Sequence, residues 1–337
     1  MKQSRPKKEK GNMAAVISSK LLGVAGKFLG KKIAVIGDCM LDRYLYGDSE
    51  RVSQEAPIPV IDIREETYTI GGAANAAANL ASLGAKVSLF GVVGDDSEGK
   101  MFRILCKEKG ILNVFLRVHA RRPTTVKTRL VARGKQVARF DKEVTDTITS
   151  HDEKYFLREL EKHSGLIHAI VISDYAKGVL TPDLSRAIVR FGRKQNIPVI
   201  ADPKPGNFWF FKNASALTPN RYEIEAVWGE KLDNEKKIRE AGRLLQKKMN
   251  TTLLLTRGKD GMTLFQSSGA LHFPAVQTDV ADVAGAGDTA TAAFALAIAS
   301  GASYRHATEI ALRASGIVVA KSGVATVSLA ELKSVLV

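Results

Sequence analysis

The chain has 337 residues, 45% apolar and 25% charged, with a net charge of +15. These are ordinary globular values, so a large core is expected and disorder is not, outside the N-terminus. Two cysteines, Cys39 and Cys106, lack paired spacing; this argues against a disulfide framework or a zinc site, and fits a reducing, cytoplasmic compartment.

Residues 1–30 form a basic extension. Up to residue 32 there are nine Lys/Arg and one acid, about half of the excess charge. A solvated tail is favoured over a non-catalytic protein that binds nucleic acid or membrane through it. The apolar stretch 14–29 is broken by Lys20 and Lys27 and suits an amphipathic helix better than a signal peptide. No apolar run approaches the ~18 residues of a membrane span.

A single folded domain is expected over residues 31–337. Residues 33–37 are a buried strand, with Asp38 and Asp42 beyond its end. Residues 58–70 and 114–140 mix β-branched and charged residues in rough alternation, as strands with one wet face do; they are expected to form a small antiparallel lid. Between them come a small-residue helix from Gly71 to Gly84, a strand over 87–93 and a helix to about 109. From 150 onward helices near 152–163, 182–195, 221–228 and 234–249 alternate with strands 169–173, 198–201 and 252–256. A hairpin over 262–273 and two Ala-rich helices, 288–299 and 303–322, close the chain. Such alternation implies an α/β fold, a mostly parallel sheet covered on both faces.

Five segments carry chemistry. In Gly285-Ala286-Gly287-Asp288-Thr289, glycines expose backbone N–H groups at a helix N-terminus, which holds anions. Asp288 there is either a plain helix cap or a general base beside a phosphoryl group. Gly71, Gly72 and Asn75 suit close approach of backbone to a ligand, or a tight turn. Asn220 and Glu223 suit a capping box, or water ligands of nucleotide-bound magnesium. Thr256, Gly258 and Gly261 suit a nucleotide loop or a glycine turn. Asp174 and Lys177, after strand 169–173, would face a ligand at the strand ends, or form a surface ion pair. Neither a GxxxxGK[ST] phosphate loop nor a GxGxxG fingerprint after the first strand is present.

The order of these segments resembles the ribokinase-like (PfkB) carbohydrate kinase family, over about Lys31 to Val337. The resemblance implies a Rossmann-type central sheet with a small β lid, and transfer of phosphate from MgATP to a sugar or nucleoside hydroxyl. It implies Asp288 as catalytic base and Gly285, Ala286 and Gly287 as anion hole. Asn220, Glu223, Thr256, Gly258 and Gly261 would serve ATP, with magnesium held through ATP, water and Glu223. Asp38, Asp42, Gly71, Gly72 and Asn75 would serve the sugar, and Asp282 would lie near a monovalent cation such as K+. A homodimer through the lids is expected by analogy.

Within that family, Asp38–Tyr44, Arg51–Val60, Ser173–Leu180 and Asp202-Pro203-Lys204 are similar to the branch that phosphorylates the anomeric hydroxyl of a heptose 7-phosphate, on the route to ADP-heptose of lipopolysaccharide. Arg51, Lys177 and Lys204 would then hold the sugar's own phosphate. Gln54, Ala176 and the basic extension depart from that pattern, and kinases acting on ribose, fructose phosphate or nucleosides remain alternatives. No HxGH nucleotidylyltransferase motif follows the kinase region, so a stand-alone kinase is expected.

Overall fold

A computed structural model describes residues 17–276 and 279–337. The main sheet has nine strands in the order β13-β12-β11-β10-β9-β8-β1-β4-β5. Third from one edge is β1 (Lys32–Gly37), flanked in parallel by β8 (Ala169–Ser173) and β4 (Lys86–Gly94). β9 (Val199–Asp202), β10 (Ala216–Leu217) and β11 (Thr252–Thr256) continue the parallel array on one side, and β5 (Asn113–His119) ends it on the other. The hairpin β12 (Met262–Gln266) and β13 (Gly269–Phe273) adds an antiparallel edge.

The apolar runs of the central strands are continuous because both faces are covered. In β1, Ile33 and Val35 enter one core while Ala34 and Ile36 enter the other. In β8, Ala169 and Val171 divide from Ile170 and Ile172 in the same way. One core is closed by α2 (Ala73–Ser82), α8 (Ala286–Ala299), α9 (Tyr304–Val319) and α10 (Leu329–Val335). The opposite core is closed by α4 (Ser150–Lys162), α5 (Pro182–Gln195), α6 (Arg221–Trp228) and α7 (Glu235–Met249). Both cysteines are buried and free. Helix α3 (Ser97–Glu108) contributes Phe102 and Cys106 to the first core.

The second sheet, of order β3-β2-β6-β7, rises from the end of β1. Its long hairpin pairs β2 (Cys39–Val52) with β3 (Pro59–Gly72), and β6 (Thr125–Ala132) and β7 (Lys135–Lys142) complete it. The segment after Asp38, to which the sequence reading assigned no element, is a 14-residue strand; its charged outer half hides the signal. Two expectations change here. The lid is mixed rather than antiparallel, since β2 and β6 run parallel. Residues 113–119 belong to the main sheet beside β4, so only the later part of 114–140 is lid.

The start of the fold also moves. Residues 17–25 are helical, and we call this helix α1. Its Leu21 and Ala25, with Phe28 beyond it, are fully buried in the first core, and the Ser18 hydroxyl donates to the Leu336 carbonyl. The fold therefore begins before Lys31, although residues 1–16 lie outside the described part. No described helix is long and apolar enough to cross a membrane. The helix over 17–25 falls within the stretch 14–29 expected to be helical, whereas α10 was not foreseen; Ser328 and Glu331 close a capping box at its start.

Removing the buried ring in Phe28→Ala should cost about 3–5 kcal/mol, the usual loss for a fully buried phenylalanine. Urea unfolding monitored by circular dichroism measures it; a loss below about 1 kcal/mol would mean that residues 17–30 are an appendage.

Candidate active site

The loops that leave the carboxyl ends of β1, β8, β9, β10 and β11 converge, as expected for an open α/β sheet. Tyr175, Asp202, Lys204, Thr218, Asn220, Glu223, Thr256, Gly285, Gly287 and Asp288 line one cleft of about 420 Å³.

Asp288 sits in the first turn of α8 and is only 7% exposed. Gly285, at the cap position, has a left-handed φ of 79°, and a Cβ there would come within 3.0 Å of the Asn75 amide nitrogen. Glycine supplies no side-chain acceptor, so the first-turn amides of Ala286–Asp288 are not covered by a capping side chain. The Ala-rich surfaces of α2 and α8 let the two helices meet closely. Asn75 Nδ2 consequently donates to Asp288 Oδ2 at 2.6 Å, and Thr289 Oγ1 donates to Asn79 Oδ1 at 2.8 Å. The Tyr175 hydroxyl donates to both carboxylate oxygens of Asp288, at 2.9 and 3.1 Å.

Burial dominates the chemistry of this carboxyl. It raises the Asp288 pKa from 3.8 to about 6, against the opposing effects of the Asn75 and Tyr175 hydrogen bonds and the Lys204 charge. Asp202 is likewise pushed well above the ordinary carboxylate range, by desolvation and then by the negative charge of Glu223. Lys204 is the cation among these acids. Burial works against its charge, but Glu223 and Asp202 hold its pKa above the ordinary value. Its ammonium pairs with Glu223 and lies 5.2 Å from the centre of the Tyr175 ring.

Several residues expected at the ligand are occupied otherwise. Asp38 is buried, and its oxygens accept the backbone N–H groups of Tyr175, Lys177 and Val179 at 2.8–3.1 Å. Asp174, also buried, accepts from the amides of Ala176 and Lys204 and from Asn207 Nδ2 at 2.8–3.0 Å. Both carboxylates fasten the 174–179 and 204–207 loops instead of facing a ligand; burial is the main cause of their raised pKa values, Asp174 reaching about 6. Gly71 and Gly72 give room to protein rather than ligand. A Cβ on Gly71 would lie 2.3 Å from Asp42 Oδ2, and one on Gly72, at φ 60°, 2.2 Å from the Asp38 carbonyl oxygen. Asn75 holds Asp288, as above.

Asn220 and Glu223 do form the capping box of α6, each accepting the other's backbone N–H at 2.9 and 2.8 Å. They also line the cleft, because Glu223 keeps its second oxygen turned to Lys204. Thr256 lines the cleft, and Gly258 starts the following turn with open space around its Cα. Gly261 serves the turn into β12: at φ 85°, a Cβ would meet the Phe273 carbonyl at 2.0 Å. Asp282 caps a local turn through the Ala284 amide and lies outside the cleft lining. Lys177 pairs with Glu143 at 2.6 Å. Arg51 is exposed and pairs with Asp62 near the tip of the lid. Nine residues separate it from Asp42 along β2, roughly 25–30 Å at the rise of a strand, so the two do not share a site in this arrangement.

The sequence reading missed Tyr175, Asp202, Thr218 and Arg129. Arg129, on β6, pairs with Asp42 and lies over the Tyr44 ring at 5.3 Å. Asp202 and Tyr175 each end or follow a short apolar strand at the same depth as Asp38 and Asp174, and that position was the available signal.

This is a ribokinase-like fold. Phosphofructokinase-2 from Escherichia coli in complex with potassium superposes with a TM-score of 0.75 at 18% identity, covering 91% of this chain and 98% of that one. Arabidopsis thaliana ribokinase complexed with ribose and ATP gives 0.72 at 19% identity over 91% and 99%. The sequence pattern described as pfkB family carbohydrate kinase matches residues 30–331. The chain belongs to that family and is a phosphotransferase acting on a sugar hydroxyl. It is 41% identical to the bifunctional protein HldE of Geobacter sulfurreducens over 300 residues, 88% of this chain and 61% of that protein. It is 39% identical to HldE of Helicobacter pylori strain J99 over 307 residues, 91% and 66% of the two chains. It thus spans about three fifths to two thirds of the length of these relatives.

The raised Asp288 pKa fixes a sign. The folded chain holds this proton more tightly than the unfolded one, so the group's contribution to stability is present below about pH 4 and is lost as pH rises through about 6. A base, by contrast, works only when deprotonated. If Asp288 is one, kcat/KM for the sugar should fall about tenfold per unit as pH drops below about 6. Asn75→Ala removes a hydrogen bond that lowers this pKa, and should move the limb upward. A limb near 4, unmoved in the variant, would contradict the desolvated carboxylate.

Proposed function

We propose that this kinase transfers the γ-phosphoryl group of MgATP to O1 of D-glycero-β-D-manno-heptose 7-phosphate, forming the 1,7-bisphosphate used for ADP-heptose and lipopolysaccharide core. The carrying observation is the desolvated Asp288 carboxylate, facing the cleft at the start of α8 with a hydroxyl group, that of Tyr175, already donating to it. A sugar hydroxyl can take the same donor position. Asp288 accepts its proton as the O1–Pγ bond forms, and the bond from Pγ to ADP breaks with its electron pair leaving on ADP. The amides of Gly285, Ala286 and Gly287 face the transferring oxygens, where negative charge is concentrated. Thr256, Gly258 and Asn220 attend the nucleotide, and Asp42 attends sugar hydroxyls.

The acids suit a divalent metal. Asp202, Glu223 and Asp288 bring three carboxylates to the cleft against the single ammonium of Lys204. This fits magnesium, which keeps several waters and is carried mainly by nucleotide phosphates. Glu223 and Asp202 would hold it through water; when bound it neutralises charge on the β and γ oxygens.

The heptose assignment is supported by the segments 38–44, 51–60, 173–180 and 202–204, and by the identity to the HldE proteins. A homodimer through the lids belongs to the same reading, supported by the exposed Val52, Ile58, Ile63, Val137 and Phe140 of that sheet.

Asp288→Asn should lower kcat about 10²–10⁴-fold while leaving ATP affinity within a few-fold. Coupled ADP release from heptose 7-phosphate, fructose 6-phosphate and ribose measures both points. Near-normal turnover of the variant would remove the base assignment, and turnover of ribose or fructose 6-phosphate without the heptose would remove the substrate.

A further inference from the structure

We infer that the cleft-facing side of the lid is a recognition site for a phosphomonoester dianion, built from Lys127, Arg129 and Arg139, and that it holds the phosphate carried by the sugar substrate. The inference rests on the kinase reading of Asp288 but not on which sugar is used.

Strand register assembles the site. β2 pairs with β6 through Asp42–Lys127 and Tyr44–Arg129, and β6 pairs with β7 through Lys127–Asp141 and Arg129–Arg139. Partners across a ladder share a face, so these six side chains form one surface. The inner end of that surface lies beside the active site: Asp42 Oδ2 abuts Gly71, just before α2, whose Asn75 holds Asp288. Its charges are three basic and two acidic, and two of the bases are already paired, Arg129 with Asp42 and Arg139 with Asp141.

Lys127 is the odd member. It is half-buried and makes no ion pair among the described residues. Burial lowers its pKa; Asp141 opposes this, while Lys177 and Arg139 add to the depression. A partly desolvated ammonium with no ion-pair partner of its own, set among the Arg139–Asp141 and Lys177–Glu143 pairs, is an arrangement that an entering dianion improves. Arg129 uses Nη1 on Asp42, and the rest of its donor fork suits a phosphate in two-pronged fashion.

The position separates this phosphate from those of the nucleotide. The lid leaves the main sheet at β1, whereas Thr256 and Gly258 follow β11. Four inter-strand steps, about 19 Å at ~4.8 Å each, lie between these ends, with Asp288 reached from both. The cations expected from sequence serve less well: Arg51 lies near the lid tip, Lys204 is held among the acids of the cleft, and Lys177 is neutralised by Glu143.

The test compares kcat/KM for phosphorylated and unphosphorylated members of three sugar pairs: heptose 7-phosphate and heptose, fructose 6-phosphate and fructose, ribose 5-phosphate and ribose. The full chain is expected to prefer the phosphorylated member of its best pair. In Lys127→Gln that preference should fall at least tenfold, through KM of the phosphorylated sugar, and Lys127→Arg should restore part of it. If Lys127→Gln fails to fold by circular dichroism, the exposed Arg139→Gln gives the same readout. An unchanged preference in the variants, or none in the parent chain, overturns the lid site. Which pair is used best judges the heptose reading separately.

Discussion

The structure turns on a carboxylate held where water is scarce. Asp288 caps no helix with its side chain; it lies inside the first turn of α8, buried between α2 and the 174–179 loop. An ionised carboxyl in such a place is costly unless donors surround it. Asn75 and Tyr175 supply the donors, and the rest of the architecture supplies Asn75 and Tyr175. The close contact of α2 and α8 needs their runs of alanine. The position of Tyr175 needs the backbone loop that Asp38 and Asp174 fasten from below with four hydrogen bonds, while Asp174 takes two more from the neighbouring 204–207 loop.

Two kinds of acid therefore meet at the strand ends. Asp38 and Asp174 are consumed by backbone amides and act as struts. Asp202, Glu223 and Asp288 line the cleft, with Lys204 as the cation between them. Such a cleft repels bare anions and favours a nucleotide brought with its metal. On the lid side the balance reverses, with Lys127, Arg129 and Arg139 outnumbering Asp42 and Asp141. On the proposed reading, the acidic cleft would serve phosphoryl transfer and the basic lid substrate selection, with Asp288 between them.

Much of the body was legible in the sequence because the central strands are short apolar runs and the helices have clear starts. The bounds of β8, β11 and α6 agree with the expectation to the residue. The lid was less legible. The outer half of β2 carries glycine and charge where a strand with two wet faces has no hydrophobic period to show. The site was half legible for a different reason. Sequence places Asp38, Asp42, Asp174 and Asp202 alike at strand ends, but only the three-dimensional path of the next loop decides whether an aspartate meets amides or a cleft. Lys127 and Arg129 gain meaning only from the register of β6 against β2, which no local pattern specifies.

The direct test of this account is the ionisation of Asp288 itself. Carboxyl-carbon NMR of ¹³C-aspartate-labelled protein, with the Asp288→Asn variant to assign the resonance, reports that pKa without turnover. The buried arrangement predicts a midpoint near 6. A midpoint near 3.8, the ordinary aspartate value, would contradict it.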